Sequence, residues 1–446
     1  MTALAPTRPA RGLGSLTRSG SAVDGAAWAL YDFANTIFSF AIVSFAMGPW
    51  VTSFMGETAG TFAFVTASSL SVLLNALVSP VLGALSDRTG GRKGYLLAFT
   101  ALCVVPTALI GFIDIGLGLL AFAIANFAYQ AALIYYDALL PDVALPAARG
   151  RLSGIGVALG YLGAIVAGLL YGFTTDANGD TTAASFVLVA ALFAVFAIPI
   201  FLLVAERSTG SGQPFRVTDA ARSFTQLRLT IDHARQRPGL LRFIVGRFFY
   251  SDPINTAIAV MSLFAIHAVG FTSTEARFVL IGLIVAAVVA SVGWGFLCDR
   301  IGPKRTLMFV LLSWVVGLLV IGLFLAKVPF LIAGVILGSG LGGVAVTDRL
   351  YLLRLTRPDE VGEMFGLYGL AGKLSAVIGP LLYGGIILVL DPARIGPVAY
   401  QVAILSLLVL MVVGILIVRG VPEPPPAPDD TVEQLLVGVR EEARPT

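Results

Sequence analysis

The stretch YDFANT at residues 31–36 sets an acid, an amide and a hydroxyl in a run otherwise made of Ala, Phe, Ile, Val and Trp. DPINT at 252–256 repeats the pattern D-x-x-N-T. On a helix, positions i, i+3 and i+4 share a face, so Asp32, Asn35 and Thr36 form one polar patch and Asp252, Asn255 and Thr256 a second. A carboxylate flanked by an amide and a hydroxyl can hold a proton, a hard cation or an amine. Lys373, about ten residues into its apolar run and so roughly 15 Å deep, offers the opposite charge. It is an anchor for a substrate carboxylate or the ion-pair partner of an intramembrane Asp. Arg247 lies nearer the end of its run, where it snorkels or shares the carboxylate role. Asn126, Tyr129 and Gln130 bring polar groups towards the middle of another run, as a small-molecule site requires and as contacts between helices also do. Asp137 and the adjacent Asp348 and Arg349 fall near matching ends of two runs and read as the salt bridges of a gate.

Other chemistries lack their residues. Two histidines, His233 and His267, and two cysteines, Cys103 and Cys298, are far apart, so neither a metal site nor a disulfide is expected. DANGD at 176–180 opens like a calcium loop, but Val187 stands where the closing Glu is required. No nucleotide-binding loop, resident cofactor or nucleic-acid partner is indicated. The energy for any transport then comes from an ion gradient, H⁺ or Na⁺, or from the gradient of the substrate itself.

The elements that must position these groups follow from composition. Hydrophobic residues are 57% of the chain and charged residues 12%, with a mean hydropathy of +0.91. Long unbroken apolar runs read as membrane-spanning helices rather than strands. Twelve spans are expected, near 26–50, 61–85, 94–113, 117–140, 151–173, 183–205, 240–266, 276–298, 306–326, 329–351, 363–388 and 397–418. The fold class is therefore an all-α polytopic membrane protein. Its two six-helix bundles cover 26–205 and 240–419, with a basic tail at 1–25, a linker at 206–239 and a Pro-rich tail at 420–446. The net charge of +3 matters less than its placement. Arg88, Arg92, Lys93, Arg149, Arg151, Arg300, Lys304, Arg305, Arg354, Arg357 and the Arg-rich linker share one side, against Arg277, Lys327 and Arg394 on the other. Positive residues stay cytoplasmic, which puts both termini and the linker inside. FRVTDAARSFTQLRLTIDHARQR, 215–237, reads either as a basic amphipathic helix on the inner leaflet or as a solvated connector.

The halves also repeat. A shift of 212 lays GALSDRTGGRK (83–93) on GFLCDRIGPKR (295–305), aligning Gly83, Asp87, Arg88 and Gly90 with Gly295, Asp299, Arg300 and Gly302. The same shift lays 150–172 on 362–384, both ending in LLYG, and a shift of 220 aligns the two D-x-x-N-T patches. An internal repeat in a membrane chain points to a transporter with its site between the halves. In the repeated loop, Gly83 and Gly295 permit close helix approach and Gly90 and Gly302 suit a tight turn. The Asp is set to meet a helix N-terminus or an Arg, and Arg92 and Lys304 to grip carboxylates or lipid phosphates.

On these residues the chain resembles the major facilitator superfamily, whose loop between the second and third helices is similar to G-x-x-x-D-R-x-G-[RK]-[RK]. Gly91 and Pro303 depart from it, and Arg92 and Lys304 supply the next basic position. WALYDFANTIFSF (28–40), YYDALLPDVALPAARGRLSGIGVALGYLG (135–163), FFYSDPINT (248–256) and FGLYGLAGKLSAVIGPLLYG (365–384) resemble the vacuole-effluxer-like branch, known from a fungal vacuolar amino-acid effluxer. The fifth span lacks the Gly-Pro motif of the superfamily's drug antiporters.

The resemblance implies a secondary active transporter working by alternating access on a small solute, with an amino acid or similar zwitterion fitting the mixture of acidic and basic groups. A drug or lipid-like effluxer of the same fold is the alternative. A membrane-embedded enzyme would want a Ser–His, metal or carboxylate cluster, and a sensor would bind a partner through its linker or tail. The expected setting is the lipid bilayer of the cell membrane, with a small-molecule substrate and function as a monomer. A single cysteine placed within 206–239 should be shielded from an impermeant thiol reagent in intact cells. Labelling there, with silence at 174–182, would reverse the orientation.

Overall fold

A computed structural model describes residues 22–175, 181–206, 223–376 and 378–423. The basic N-terminal tail, the calcium-loop-like stretch 176–180, linker residues 207–222 and most of the C-terminal tail lie outside these. The N-terminal half begins with α1 (Ala22–Met55), whose α-helical ends flank a π-helical stretch, Ser39–Ala46. It continues with α2 (Glu57–Thr89), α3 (Arg92–Leu109), α4 (Ile115–Ala138), α5 (Arg149–Thr174) and α6 (Ala183–Leu203). A linker helix, α7 (Ser223–Gln236), precedes α8 (Leu240–Phe264), α9 (Ser273–Ile301), α10 (Pro303–Leu323), α11 (Lys327–Leu355), α12 (Val361–Ser375), α13 (Ile378–Leu390) and α14 (Val398–Arg419).

Local sequence explains the ends. Asp114 caps α4 by accepting from the amides of Gly116 and Leu117 at 3.0 and 3.1 Å. Thr272 and Glu275 close a reciprocal capping box on α9, and Pro303 opens α10, where its missing N–H costs nothing. Among the described residues, eleven helices are long and apolar enough to cross a membrane. The twelfth span is α8, which carries Arg242, Arg247 and Asp252. Leucines 82% and 76% exposed, Leu388 and Leu202, need an apolar solvent and mark lipid-facing surface.

The expected span 363–388 falls within one apolar stretch, Pro358–Leu390, long enough to cross a membrane. Its helix is described in two parts, α12 and α13, on either side of residue 377, and Pro380 has no N–H to return to the carbonyl of Ala376.

Each half has its own apolar core, with Trp28, Tyr31, Phe122, Tyr136 and Phe193 in one and Phe243, Tyr250, Trp314 and Tyr351 in the other. The indole of Trp28 donates to the Tyr136 carbonyl at 3.0 Å and pins α1 to α4. The halves meet where α2 packs on α12 and α5 on α9. A Cβ on Gly83 would collide with the Gly362 carbonyl, and one on Gly295 with the Gly150 carbonyl. Both contacts lie at the end that bears the basic loops, called here the basic end.

The linker helix is folded onto that end. Thr230 donates to Glu363, and His233 Nδ1 lies 3.3 Å from the same carboxylate. Arg237 makes a bidentate pair with Glu360 at 2.6 and 3.0 Å. Those bonds hold the Arg237 guanidinium above its ordinary pKa. Two further caps repeat between halves. Glu206 accepts from the amides of Arg92 and Lys93 at the start of α3, and Glu423 from the amide of Lys304 at the start of α10. Tyr351 donates to the Pro422 carbonyl at 2.9 Å, so ordered chain continues past 419 to Glu423.

Candidate functional site

The D-x-x-N-T patches sit on α1 and α8. In the N-terminal half, Asp32 and Thr36 face α5. A Cβ on Gly160 would lie 3.0 Å from the Thr36 hydroxyl and 3.4 Å from the Asp32 carboxylate. Asn35 is buried, and its Oδ1 accepts no hydrogen bond. Asp32 is half-buried and belongs to none of the described ion pairs. Around it stand Tyr129 and Tyr136 of α4, Tyr161 of α5 and, from the other half, Arg349. The Tyr136 hydroxyl is close to Asp32 but makes no hydrogen bond of good geometry.

Arg349 crosses between the halves. Its guanidinium lies 2.8 Å from Asp137 of α4 and 3.1 Å from the Ser153 hydroxyl of α5. It also stands over the rings of Trp28 and Tyr136, 5.1 and 5.4 Å from their centroids. Asp348 stays in its own half. It accepts from Tyr250 at 2.6 Å and lies 3.4 Å from Arg247. Successive residues on a helix point about 100° apart, so these two neighbours on α11 serve different halves. Arg247 does not snorkel. It is mostly enclosed, 13% exposed, donates to Ser251 at 2.8 Å and lies 3.6 Å over the Tyr368 ring.

Lys373 of α12 reaches across to α2 and donates to Asn75 and, at 3.5 Å, to Ser79. Asn75 donates its own amide to the Phe127 carbonyl at 2.9 Å, which turns its oxygen towards the lysine. Among the described ion pairs, none includes Lys373. Asn126 is taken up within the N-terminal half by Ser71, at 2.7 Å, Tyr129 rests against Phe38, and Gln130 is half-buried beside it. In the second patch, Asn255 donates to Ser375 at 3.5 Å, while Asp252 accepts from the Gly379 amide at 2.9 Å. Thr256 is buried and unpartnered.

The repeated loops act at the interface. Asp87 accepts from the amides of Gly362 and Glu363 at 3.0 and 2.8 Å, at the positive end of α12. Arg92 holds the same carboxylate at 2.8 Å. Asp299 accepts from Gly150 and Arg151 at 2.7 and 2.9 Å, at the start of α5, and Arg151 lies 3.3 Å away. Gly90 and Gly302 turn with φ of 72° and 91°. Arg88 flanks Asp87 on α2, Arg300 is exposed, and Lys304 contributes its backbone amide to Glu423. With Asp137–Arg349 and Lys373–Asn75, these contacts close the basic end.

Several of these groups escaped the sequence reading. Asn75 and Ser79 are spaced i, i+4 in an apolar run, the same cue that singled out Asp32 and Thr36. Glu206 and Glu423 each follow the last span of a half, 217 residues apart, and would have extended the repeat. Trp28, Tyr136 and Tyr161 carry no signal that separates them from core aromatics.

A sequence model of the family described as "Vacuole effluxer Atg22 like" matches residues 49–424. The chain belongs to this family. Its members include major facilitator superfamily relatives. The chain is 27% identical over 413 residues to an uncharacterised MFS-type transporter, YxiO, of Bacillus subtilis, covering 89% of this chain and 94% of the relative. It is 24% identical over 432 residues to autophagy-related protein 22 of Yarrowia lipolytica, covering 76% and 73%. Solved structures share the twelve-helix fold. The transporter FucP in its outward conformation superposes with a TM-score of 0.67 at 15% identity, over 89% of this chain and 97% of that one. The human organic anion transporter MFSD10 does so with 0.65 at 16%, over 87% and 98%. The Atg22-like chain is thus a multi-pass membrane transporter.

Its two loop aspartates should differ in weight. The Asp87–Arg92 pair is 7% and 4% exposed, whereas Arg151 beside Asp299 is 48% exposed, and exposed pairs contribute little. Cys298 is a native reporter, 1% exposed and packed with Val346, Leu350 and, from the opposite half, Val157. With Cys103 replaced by Ala, Asp87→Asn should speed maleimide labelling of Cys298 by about tenfold, and Asp299→Asn by less. Equal labelling in wild type and Asp87→Asn would show that this carboxylate does not hold the end closed.

Proposed function

We propose that this protein is a secondary active transporter moving a small zwitterion, of the amino-acid class, by alternating access. One observation carries the reading. Among the described charges between the halves, Asp137 pairs with Arg349 and Asp348 with Arg247, while an anion and a cation on facing halves belong to no ion pair. The anion is Asp32, on the N-terminal half. The cation is Lys373, on the C-terminal half and held only by neutral groups. A charge away from water is stable only when matched, and a neutral amide cancels none of the lysine's charge. A solute bearing an ammonium and a carboxylate offers each half what it lacks. Tyr129, Tyr136 and Tyr161 around Asp32 suit the ammonium, because aromatic faces attract cations.

The vacuole-effluxer description of the family and the autophagy-related fungal relatives support the same reading. With the basic end placed in the cytoplasm by the distribution of Lys and Arg, the closed end is the inner one and both termini are inside. Lys373 then releases Asn75 and Ser79 when the halves part, so substrate capture and opening compete for one ammonium.

Exchange of radiolabelled solutes in liposomes, across an amino-acid, sugar and organic-acid panel, tests this. For the best amino acid, Asp32→Asn and Lys373→Gln should each weaken exchange affinity by about 30-fold or more. A decarboxylated amine analogue should be sensitive to Asp32→Asn and indifferent to Lys373→Gln. Amino-acid exchange at wild-type affinity in both variants overturns the assignment. Transport of lipophilic cations, indifferent to Lys373→Gln, would favour a drug effluxer instead.

A further inference from the structure

The two D-x-x-x-T pairs meet different partners. Asp32 and Thr36 pack on Gly160, inside an unbroken α5. Asp252 and Thr256 pack on Gly379, in the first turn of α13. Two prolines make the difference. Pro253 deprives the Phe249 carbonyl of its helical donor, and Pro380 does the same to Ala376. The N-terminal half has Phe33 where the C-terminal half has Pro253.

Asp252 spends one oxygen on the new helix start, accepting from Gly379 at 2.9 Å, with the Ile378 amide directed at the same carboxylate. Its other oxygen is buried and accepts from no group of the protein. The Thr256 hydroxyl is in the same position. Asp252 is 1% exposed and Thr256 is 0% exposed. Both oxygens pack directly against Gly379, where a Cβ would collide with each. Buried polar atoms are almost always satisfied. Two unsatisfied oxygens, one anionic, buried side by side against one glycine therefore call for a cationic occupant.

We infer that Asp252 Oδ2 and Thr256 Oγ1 form the core of a binding site for one sodium ion in the C-terminal half. The donor set is all oxygen, as hard cations prefer. One carboxylate balances one positive charge, whereas a divalent ion would leave excess charge buried. Carbonyls freed at a broken helix are the usual neutral ligands for Na⁺ in transporters. Among the described residues, no group of three or more His, Cys, Asp or Glu side chains could hold a transition metal. The ion would join α8 to the start of α13, one short gap from the helix that carries Lys373. Its use to drive transport rests on the reading given under Proposed function; the binding itself does not.

The test is equilibrium binding of ²²Na⁺ to the purified full chain without any organic substrate, paired with thermal unfolding in NaCl or choline chloride at equal ionic strength. Wild type should bind one ion saturably and melt higher in NaCl, with LiCl competing and choline not. Thr256→Val keeps the shape and removes only an unpartnered hydroxyl, so it should fold as wild type in choline chloride and bind Na⁺ about tenfold more weakly. Asp252→Asn should lose binding and the NaCl-dependent shift. Absence of saturable ²²Na⁺ binding in wild type overturns the site, as does binding unchanged in both variants. Stability indifferent to Na⁺ but dependent on pH, and no longer so in Asp252→Asn, would assign the niche to a proton and overturn it equally. Because no solute is present, either result leaves the zwitterion reading to its own exchange assay.

Discussion

Charge in a low-dielectric bundle must be matched, and the interior of this protein is arranged around that constraint. α11 turns Arg349 towards the N-terminal half and Asp348 towards its own, so one helix settles charges on both sides of the interface. α8 supplies Arg247 for the second of these, and the Tyr368 ring covers the remaining face of that guanidinium. Leaving a buried partner uncompensated costs roughly 3–5 kcal/mol, more than an ordinary helix contact returns. The pairs therefore dictate which helix faces can meet. Asp32, Asp252 and Lys373 are the exceptions, for none of them belongs to a described ion pair.

The closed end obeys a second rule, applied twice. A loop aspartate from one half meets the N-terminus of a helix in the other, at Gly362 and Glu363 and again at Gly150 and Arg151. Glycine carbonyls close beneath each contact, so backbone meets backbone with no side chain between. Helix dipole, aspartate and glycine are then a single device. It can form only when the axes of α2 and α12, or α5 and α9, come within the reach of a bare backbone. Contacts that depend so steeply on approach suit a joint that is either made or broken.

Much of this was legible in the sequence. Long apolar runs with basic loops on one side defined the spans, and the repeat brought Asp87 and Asp299 into register. The D-x-x-N-T patches were found because i, i+3 and i+4 spacing is visible in one dimension. Pairings were not. Lys373 and Asn75 are 298 residues apart, and Arg349 and Asp137 are 212. Nothing local says which helix faces will meet, so Asp348 and Arg349 could not be assigned to separate halves. The repeat expects Asp252 to match Asp32, but the geometry spends half of its carboxylate on the first turn of α13.

The linker helix has a consequence for how firmly the closed end needs to hold. α7 is fastened to the C-terminal half through Glu360 and Glu363, and Glu206 is fastened to the N-terminal half through the start of α3. Residues 207–229 lie between Glu206 and the first of the α7 anchors, Thr230. Twenty-three residues span at most about 80 Å, so this connection keeps the two halves in each other's neighbourhood. Re-closing is an intramolecular event at an effective concentration in the millimolar range. Under that regime each contact across the interface can be individually feeble and the end still shuts.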